Sequence, residues 1–415
     1  MPRKPTSPPA SAPPPAPPPA PPPAATPVAR APWGAGGVDK PSPSSPKSAT
    51  RVDSQRPPRG KRLSLSEELD VYHCGIDLHS RITVYHLLDG AGTTLARGEI
   101  DTSEASLGEL ARGIKKHTRF YIEASTGSAW CARLIEACGH QAVVVDPNRL
   151  RAISSSPKKT DAHDAEMLAM LGKTGLLTPV HVRSEFTDRF RRLLAARHAI
   201  VGSRANLIRT TRSLLRSEGH NLPSCDGDDF ARRLEGTWGI PEGYELAVPP
   251  LVQAIDDMTT QVLEIEKAVH EVAEADPTTV RRLRAIPGVG ELIATSFLAL
   301  IEDPTRFRSS EEIAAYTGLA PWVNSSAGKR KPGGITKRGN SATRALLVQG
   351  AWAHVRSKKD TALKRWYYKL SERVGKKKAI VGLARKLGEL MWTLWKNEAD
   401  YQAFPTSSRR VPAPT

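Results

Sequence analysis

"VYHCGIDLHS" (residues 71–80) followed by "RITVYHLLD" (residues 81–89) is the pair of runs on which the fold turns. Both are short and β-rich, and after a polar turn a third run, "TTLARGEID" (93–101), extends them into a meander. Beyond it the pattern changes. A helical stretch at 104–116 precedes "RFYIEAS" (119–125), a helix near 128–138 precedes "QAVVVD" (141–146), and another helix opens in "KKTDAHDAEMLA" (158–169). Strands first in meander and then alternating with helices predict a mixed sheet covered by helices, an α/β arrangement. Asp77 and Glu123 fall near the ends of two of these strands.

The chain has 415 residues, enough for two or three domains, and a net charge of +17 that favours a polyanionic partner, nucleic acid first. Cys74, Cys131, Cys138 and Cys225 have neither CxxC pairing nor zinc-ligand spacing with histidine, so free thiols in a reducing cytoplasm are expected. The longest strongly apolar run, 292–301, is well short of the roughly 20 residues a membrane helix needs. The first residues, a few basic side chains followed by Pro-Ala repeats, are not expected to act as a secretory signal, and no membrane partner is expected.

Composition divides the chain. Of 35 prolines, 20 fall before residue 64, in blocks such as "APPPAPPPAPPPAA". Such a segment buries too little apolar surface to offset its ordering entropy, so residues 1–68 are expected to form a disordered basic arm, and 405–415 a disordered tail. Residues 69–180 form the expected sheet domain. Two long helix-favouring segments, 185–218 and 248–275, predict an antiparallel helical arm over 181–278. A mainly helical domain is expected over 279–404.

Asp161 and Asp164 stand three apart, which on a helix sets two carboxylates side by side, where they repel unless something positive lies between them. With Asp77 and Glu123 they make four acids delivered by two strands and one helix. Phosphoryl transfer uses such a set, because two divalent ions about 4 Å apart stabilise both the attacking and the leaving oxygen. Hard oxygen ligands favour Mg2+ or Mn2+. His163, between the two aspartates, is turned away by helical geometry.

In the second half, "IPGVGELIATSFLALI" (286–301) opens with a turn whose Gly288 and Gly290 let a backbone approach closely; it resembles a helix-hairpin-helix element, which grips DNA backbone. "VNSSAGKRKPGGITKRGNSATR" (323–344) follows, a Gly-rich loop carrying Lys329, Arg330, Lys331, Lys337 and Arg338 and leading to Arg344, a composition suited to phosphate contact. On residue types alone its serines are polar loop residues. Neighbouring cations would favour a deprotonating alcohol.

The order GxD, a later strand-end Glu and KTDxxDA at a helix start resembles the RuvC-like DEDD domain of the insertion sequence 110 family of transposases, relatives of the Piv invertase. The resemblance implies an RNase H-like fold in which Asp77, Glu123, Asp161 and Asp164 hold the catalytic metals. "GLAPWVNSSAGKRKPGGITKRGNSATR" (318–344) resembles the same family's C-terminal serine transposase pattern. Aligned on Gly328 and Lys329, it places the implied nucleophile at Ser326, with Ser325 the alternative. Ala327 stands where glycine is usual, and Thr343 where leucine is usual. The implied activity is DNA strand cleavage and rejoining through a phosphoserine, by a dimer or tetramer directed by a structured guide RNA. The alternatives are a metal-dependent junction endonuclease with an incidental serine and an inactive nucleic-acid-binding remnant.

Overall fold

The computed structural model describes residues 71–147, 160–326 and 329–405, except for the side chains of residues 323–333. The expected arm, the expected tail beyond residue 405, and Ala327 and Gly328 lie outside the described residues. The chain gathers into two compact units. One holds the described residues up to His198 together with Leu298–Arg306; the other holds Ala199–Phe297 and the described residues from Phe307 onward.

The first unit is built on a mixed sheet. β1 (Tyr72–Leu78), β2 (Ile82–Leu88) and β3 (Thr94–Asp101) form an antiparallel meander; after α1 (Glu104–Gly113), β4 (Thr118–Glu123) returns parallel to β1. α2 (Ser128–Ala137) then leads to β5 (Gln141–Val145), giving the order β3-β2-β1-β4-β5. β1 and β4 are central and covered on both faces, which is why "HCGI" and "FYI" are continuously buried instead of alternating. On one face Cys74, Ile76, Phe120 and Ile122 pack with Leu107, Ala111, Cys131 and Ile135 from α1 and α2. On the other, Tyr121 and Val145 pack against Leu168 of α3 (Asp161–Lys173).

α4 (Glu185–Ser217) belongs to the first unit up to His198 and to the second beyond it. In the second unit it pairs with α6 (Pro249–Ala275), the short α5 (Phe230–Arg233) lying between them in sequence. The buried Arg204 donates to Thr259 Oγ1 at 3.1 Å, and Leu215 packs with Phe230, Leu234, Val248 and Val252. Contacts that advance along one helix as they retreat along the other make the pair antiparallel. The Pro/Gly/Asp-rich connection is not a plain linker. Arg212 places its guanidinium over the rings of Phe230 and Trp238 and donates to the Leu222 and Pro223 carbonyls, so the segment closes the end of the pair.

The chain continues through α7 (Pro277–Arg284), α8 (Glu291–Ile301) and α9 (Ser310–Tyr316) to the hairpin β6 (Pro321–Ser326) and β7 (Lys329–Ile335). Three helices follow: α10 (Ser341–Arg356), α11 (Ala362–Val374) and α12 (Lys376–Lys396). α12 is the interior element, burying Leu383, Leu387, Met391, Trp392 and Trp395. The chain is thus α/β with a helical C-terminal region. All four cysteines are free, and among the described residues no helix is long and apolar enough to cross a membrane.

Candidate active site

The site begins with a glycine. Gly75 stands in the middle of β1, where a Cβ would lie 1.9 Å from the Ala165 carbonyl oxygen and 2.7 Å from the Ala169 nitrogen. Its absence lets the backbone of α3 lie directly on the strand. Farther along α3, Gly172 makes the same accommodation to the ring of Tyr121 on β4. A helix seated this closely over two strands carries its first turn to the end of β1, where Asp77, two residues after Gly75, projects from the same face.

That first turn is fixed by Thr160, whose hydroxyl accepts from His163 N at 3.3 Å and whose carbonyl accepts from Asp164 N at 3.0 Å. Asp161 and Asp164 occupy the turn, at the positive end of the helix dipole. Between Asp77 and Asp161 stands His79, with Nε2 3.1 Å from Asp77 Oδ2 and 3.4 Å from Asp161 Oδ2. One ligand atom from each of these three residues lies within 4.8 Å of the others. Burial pushes the Asp77 carboxyl above its ordinary value; His79 pulls it down, and the negative charges of Asp161 and Asp164 push it up again. Asp164 is therefore electrostatically part of the group.

Glu123 enters through register. The last pair between the parallel strands is Ile76 with Ile122, so Asp77 and Glu123 are the next residues on adjacent strands and share a face. Glu123 stands outside the three-residue cluster. His163 approaches Glu166, at 3.7 Å, consistent with a side chain turned from the aspartates. His79 is the residue the sequence reading passed over. Its signal was the "DLH" at the exit of β1, where a second donor follows Asp77 by two residues.

The donor set fits a hard divalent cation: carboxylate oxygens converge, one is partly desolvated, and a single imidazole stands between two of them. A groove of about 670 Å³ between β2, β3 and α1, bordered by Ile82, Tyr85, Ile100 and Leu110, lies on the opposite face of the sheet and contains none of these acids.

In the second unit, the β6–β7 register sets Ser326 opposite Lys329 and Ser325 opposite Arg330, so both serines stand at the closing end of a hairpin whose facing strand is basic. The side chains of Ser325, Ser326, Lys329, Arg330 and Lys331 lie outside the described residues. Lys337 and Arg338 are exposed, Lys337 with φ +55°. Arg344 is half-buried and donates to the Thr317 and Arg338 carbonyls, both at 3.4 Å, which braces the base of the hairpin. Gly288 has φ +87°, and a Cβ there would meet the Gly350 carbonyl oxygen at 2.4 Å, so it packs on α10; Gly290 is exposed with open space around it. Glu291, the first residue of α8, pairs with Arg284 and His270.

Two family models match separate stretches of the chain. Residues 74–218 match a transposase model of the DEDD type of the IS110 group, and residues 280–367 match the model described as transposase IS116/IS110/IS902 family. A probable family 20 transposase of Pseudomonas aeruginosa is 25% identical over 342 residues, covering 80% of this chain and 99% of the relative. The transposase for insertion sequence element IS1111A of Coxiella burnetii is 28% identical over 68% of this chain and 78% of its own. That for IS1328 of Yersinia enterocolitica is 29% identical over 66% and 82%. Two family models in this order, and relatives aligned along most of their length, support this chain as an IS110 family insertion-sequence transposase.

Proposed function

We propose that this protein cuts and rejoins DNA by metal-dependent phosphoryl transfer through a transient phosphoserine. The observation that carries the reading is the convergence of Asp77 and Asp161 across His79, with Asp164 close enough to raise the Asp77 carboxyl. The sheet order β3-β2-β1-β4-β5, with the acids on adjacent strands 1 and 4 and on a helix across them, supports an RNase H-like domain. Asp77, Asp161, Asp164 and Glu123 would hold two Mg2+ or Mn2+ ions. Such ions, when bound, supply positive charge to the phosphate oxygens that gain charge during displacement.

The chain's own residues do the rest. Ser326 Oγ, or Ser325 Oγ, forms a bond to phosphorus as the bond to the leaving sugar oxygen breaks; the serine proton passes to water, and the leaving oxygen takes one up. The phosphoserine retains the phosphodiester bond energy, so rejoining needs no nucleotide. Lys329, Arg330, Lys331, Lys337 and Arg338 flank the serine as phosphate contacts, and the helix-hairpin-helix-like turn of Gly288 and Gly290 meets the DNA backbone through the exposed Gly290, Gly288 being packed on α10. His79 orients the carboxylates of Asp77 and Asp161. The chain segments 69–180, 181–278 and 279–404 serve as cleavage domain, helical arm and serine domain of a homo-oligomer working with a structured RNA in the cytoplasm.

The deciding experiment uses the full chain with Mg2+ and a DNA carrying the element's ends. Wild type should give recombinant product and a trapped protein–DNA adduct mapping to Ser326. Asp161→Ala should abolish cleavage while DNA binding persists, and Ser326→Ala should abolish adduct and product. Persistent cutting without an adduct when Ser325 and Ser326 are both replaced by Ala would establish the junction-endonuclease alternative, and no cleavage by wild type would leave a binding remnant.

A further inference from the structure

The strongest charge concentration of the chain straddles residue 367, where the second family match ends. Residues 356–378 hold ten Lys or Arg and two acids, Asp360 and Glu372. Much of this charge is displayed by α11. Its inner face is fixed: Tyr367 is buried, and Trp366 and Leu370 close against Gly382 of α12. Its outer face therefore presents Arg365, Tyr368, Lys369 and Glu372. Tyr368 is 50% exposed, its ring meeting the buried Tyr367 in a T-shaped contact at 5.4 Å between centroids while the rest of it faces water. Beside it Arg365 pairs with Asp360 and lies over the ring of Phe404 at 4.7 Å.

The next helix continues the charge. α12 opens with Lys376, Lys377 and Lys378, all exposed, with neither a side-chain cap nor an acid in the first turn. Three ammonium groups at the positive end of a helix dipole repel both the dipole and one another. Among the described residues no carboxylate pairs with them, or with Lys369 or Arg373. A polyanion is the partner that would relieve this arrangement.

We propose that the outer face of α11 and the start of α12 form a track for single-stranded nucleic acid, with Tyr368 stacking a base and Lys369, Arg373 and Lys376–Lys378 taking phosphates. The single strand follows from the tyrosine. In a duplex the base faces are occupied by their neighbours, whereas an unpaired base offers a face to an exposed ring with cations on either side. RNA and DNA strands share this chemistry.

The test is binding of the full chain, without divalent ion, to fluorescent 12-nucleotide oligo(U), oligo(dT) and a 12-base-pair duplex. Tyr368→Ala should weaken the single strands about 10-fold, Tyr368→Phe should bind like wild type, and duplex affinity should hold. Lys369→Gln with Arg373→Gln should lower the single-strand salt slope by about 1.4. A 5-bromouracil oligonucleotide should photo-cross-link at Tyr368. A larger loss on oligo(U) names an RNA strand, and one on oligo(dT) a DNA strand. Unchanged binding in Tyr368→Ala, an equal loss for the duplex, or cross-links confined to other residues overturns the proposal. Tyr368 is exposed, so its variants keep the fold, and Asp161→Ala should leave these affinities unchanged, separating this proposal from the cleavage chemistry.

Discussion

Gly75 carries a hydrogen where any other residue would place a carbon 1.9 Å from a carbonyl oxygen of α3. The contact is with backbone, so it cannot be relieved by a rotamer change. Gly75→Ala should therefore push α3 off the sheet, cost about 2–3 kcal/mol in urea unfolding, and depress cleavage by separating Asp161 from Asp77; wild-type stability would contradict the seating described here. Asp161→Asn acts in the opposite sense on the metal-free fold. It removes a negative charge that raises the Asp77 carboxyl, so its melting temperature in EDTA should match or exceed wild type. Mg2+ should raise the wild-type melting temperature by binding the folded state alone, and the variant should lose that rise. Both aspartates were legible in the sequence because position on a helix follows from spacing. His79 was not, because its direction depends on the turn between β1 and β2, where His79 N donates to the Ile82 carbonyl at 3.2 Å.

At the scale of elements, the start of α4 shows how a distant segment becomes part of the first unit. Glu302, buried and held at φ +63°, accepts from Ser184 N at 2.9 Å, Ser184 Oγ at 2.6 Å and His181 Nε2 at 2.6 Å. Burial alone would raise its carboxyl, but the hydrogen bonds from His181, Ser184 and Thr187 outweigh burial and hold it at about 2. A carboxylate held below its unfolded value of 4.5 contributes stability that is complete above that value and disappears as pH falls toward 2. Wild type should therefore lose up to about 3 kcal/mol relative to Glu302→Gln between pH 6 and pH 2.5 in urea melts; parallel pH profiles would refute the assignment. The long helices α4 and α6 could be read from apolar spacing, within a residue or two of their ends. The grouping of Leu298–Arg306 with the sheet could not, because it rests on hydrogen bonds spanning 118 residues of sequence, which composition does not record.

Across the whole molecule, the proposed chemistry is divided between the two units: the acids belong to one, and the hairpin with Ser326 to the other. The order of these motifs was legible from the start, since each is a local pattern. How they are combined was not, because it is a property of assembly. If each active site takes its acids from one protomer and its serine from a second, a mixture of Asp161→Ala and Ser326→Ala proteins contains mixed pairs with one intact site. Adduct formation should then return to about a quarter of the wild-type amplitude in a twofold assembly, since half of the pairs are mixed and each has one working site of two. If each site is completed within one chain, every site in the mixture carries a defect, and the adduct stays absent at any mixing ratio. Subunit exchange is verified with two affinity tags before the DNA is added, so that an absent adduct counts against shared sites and not against mixing.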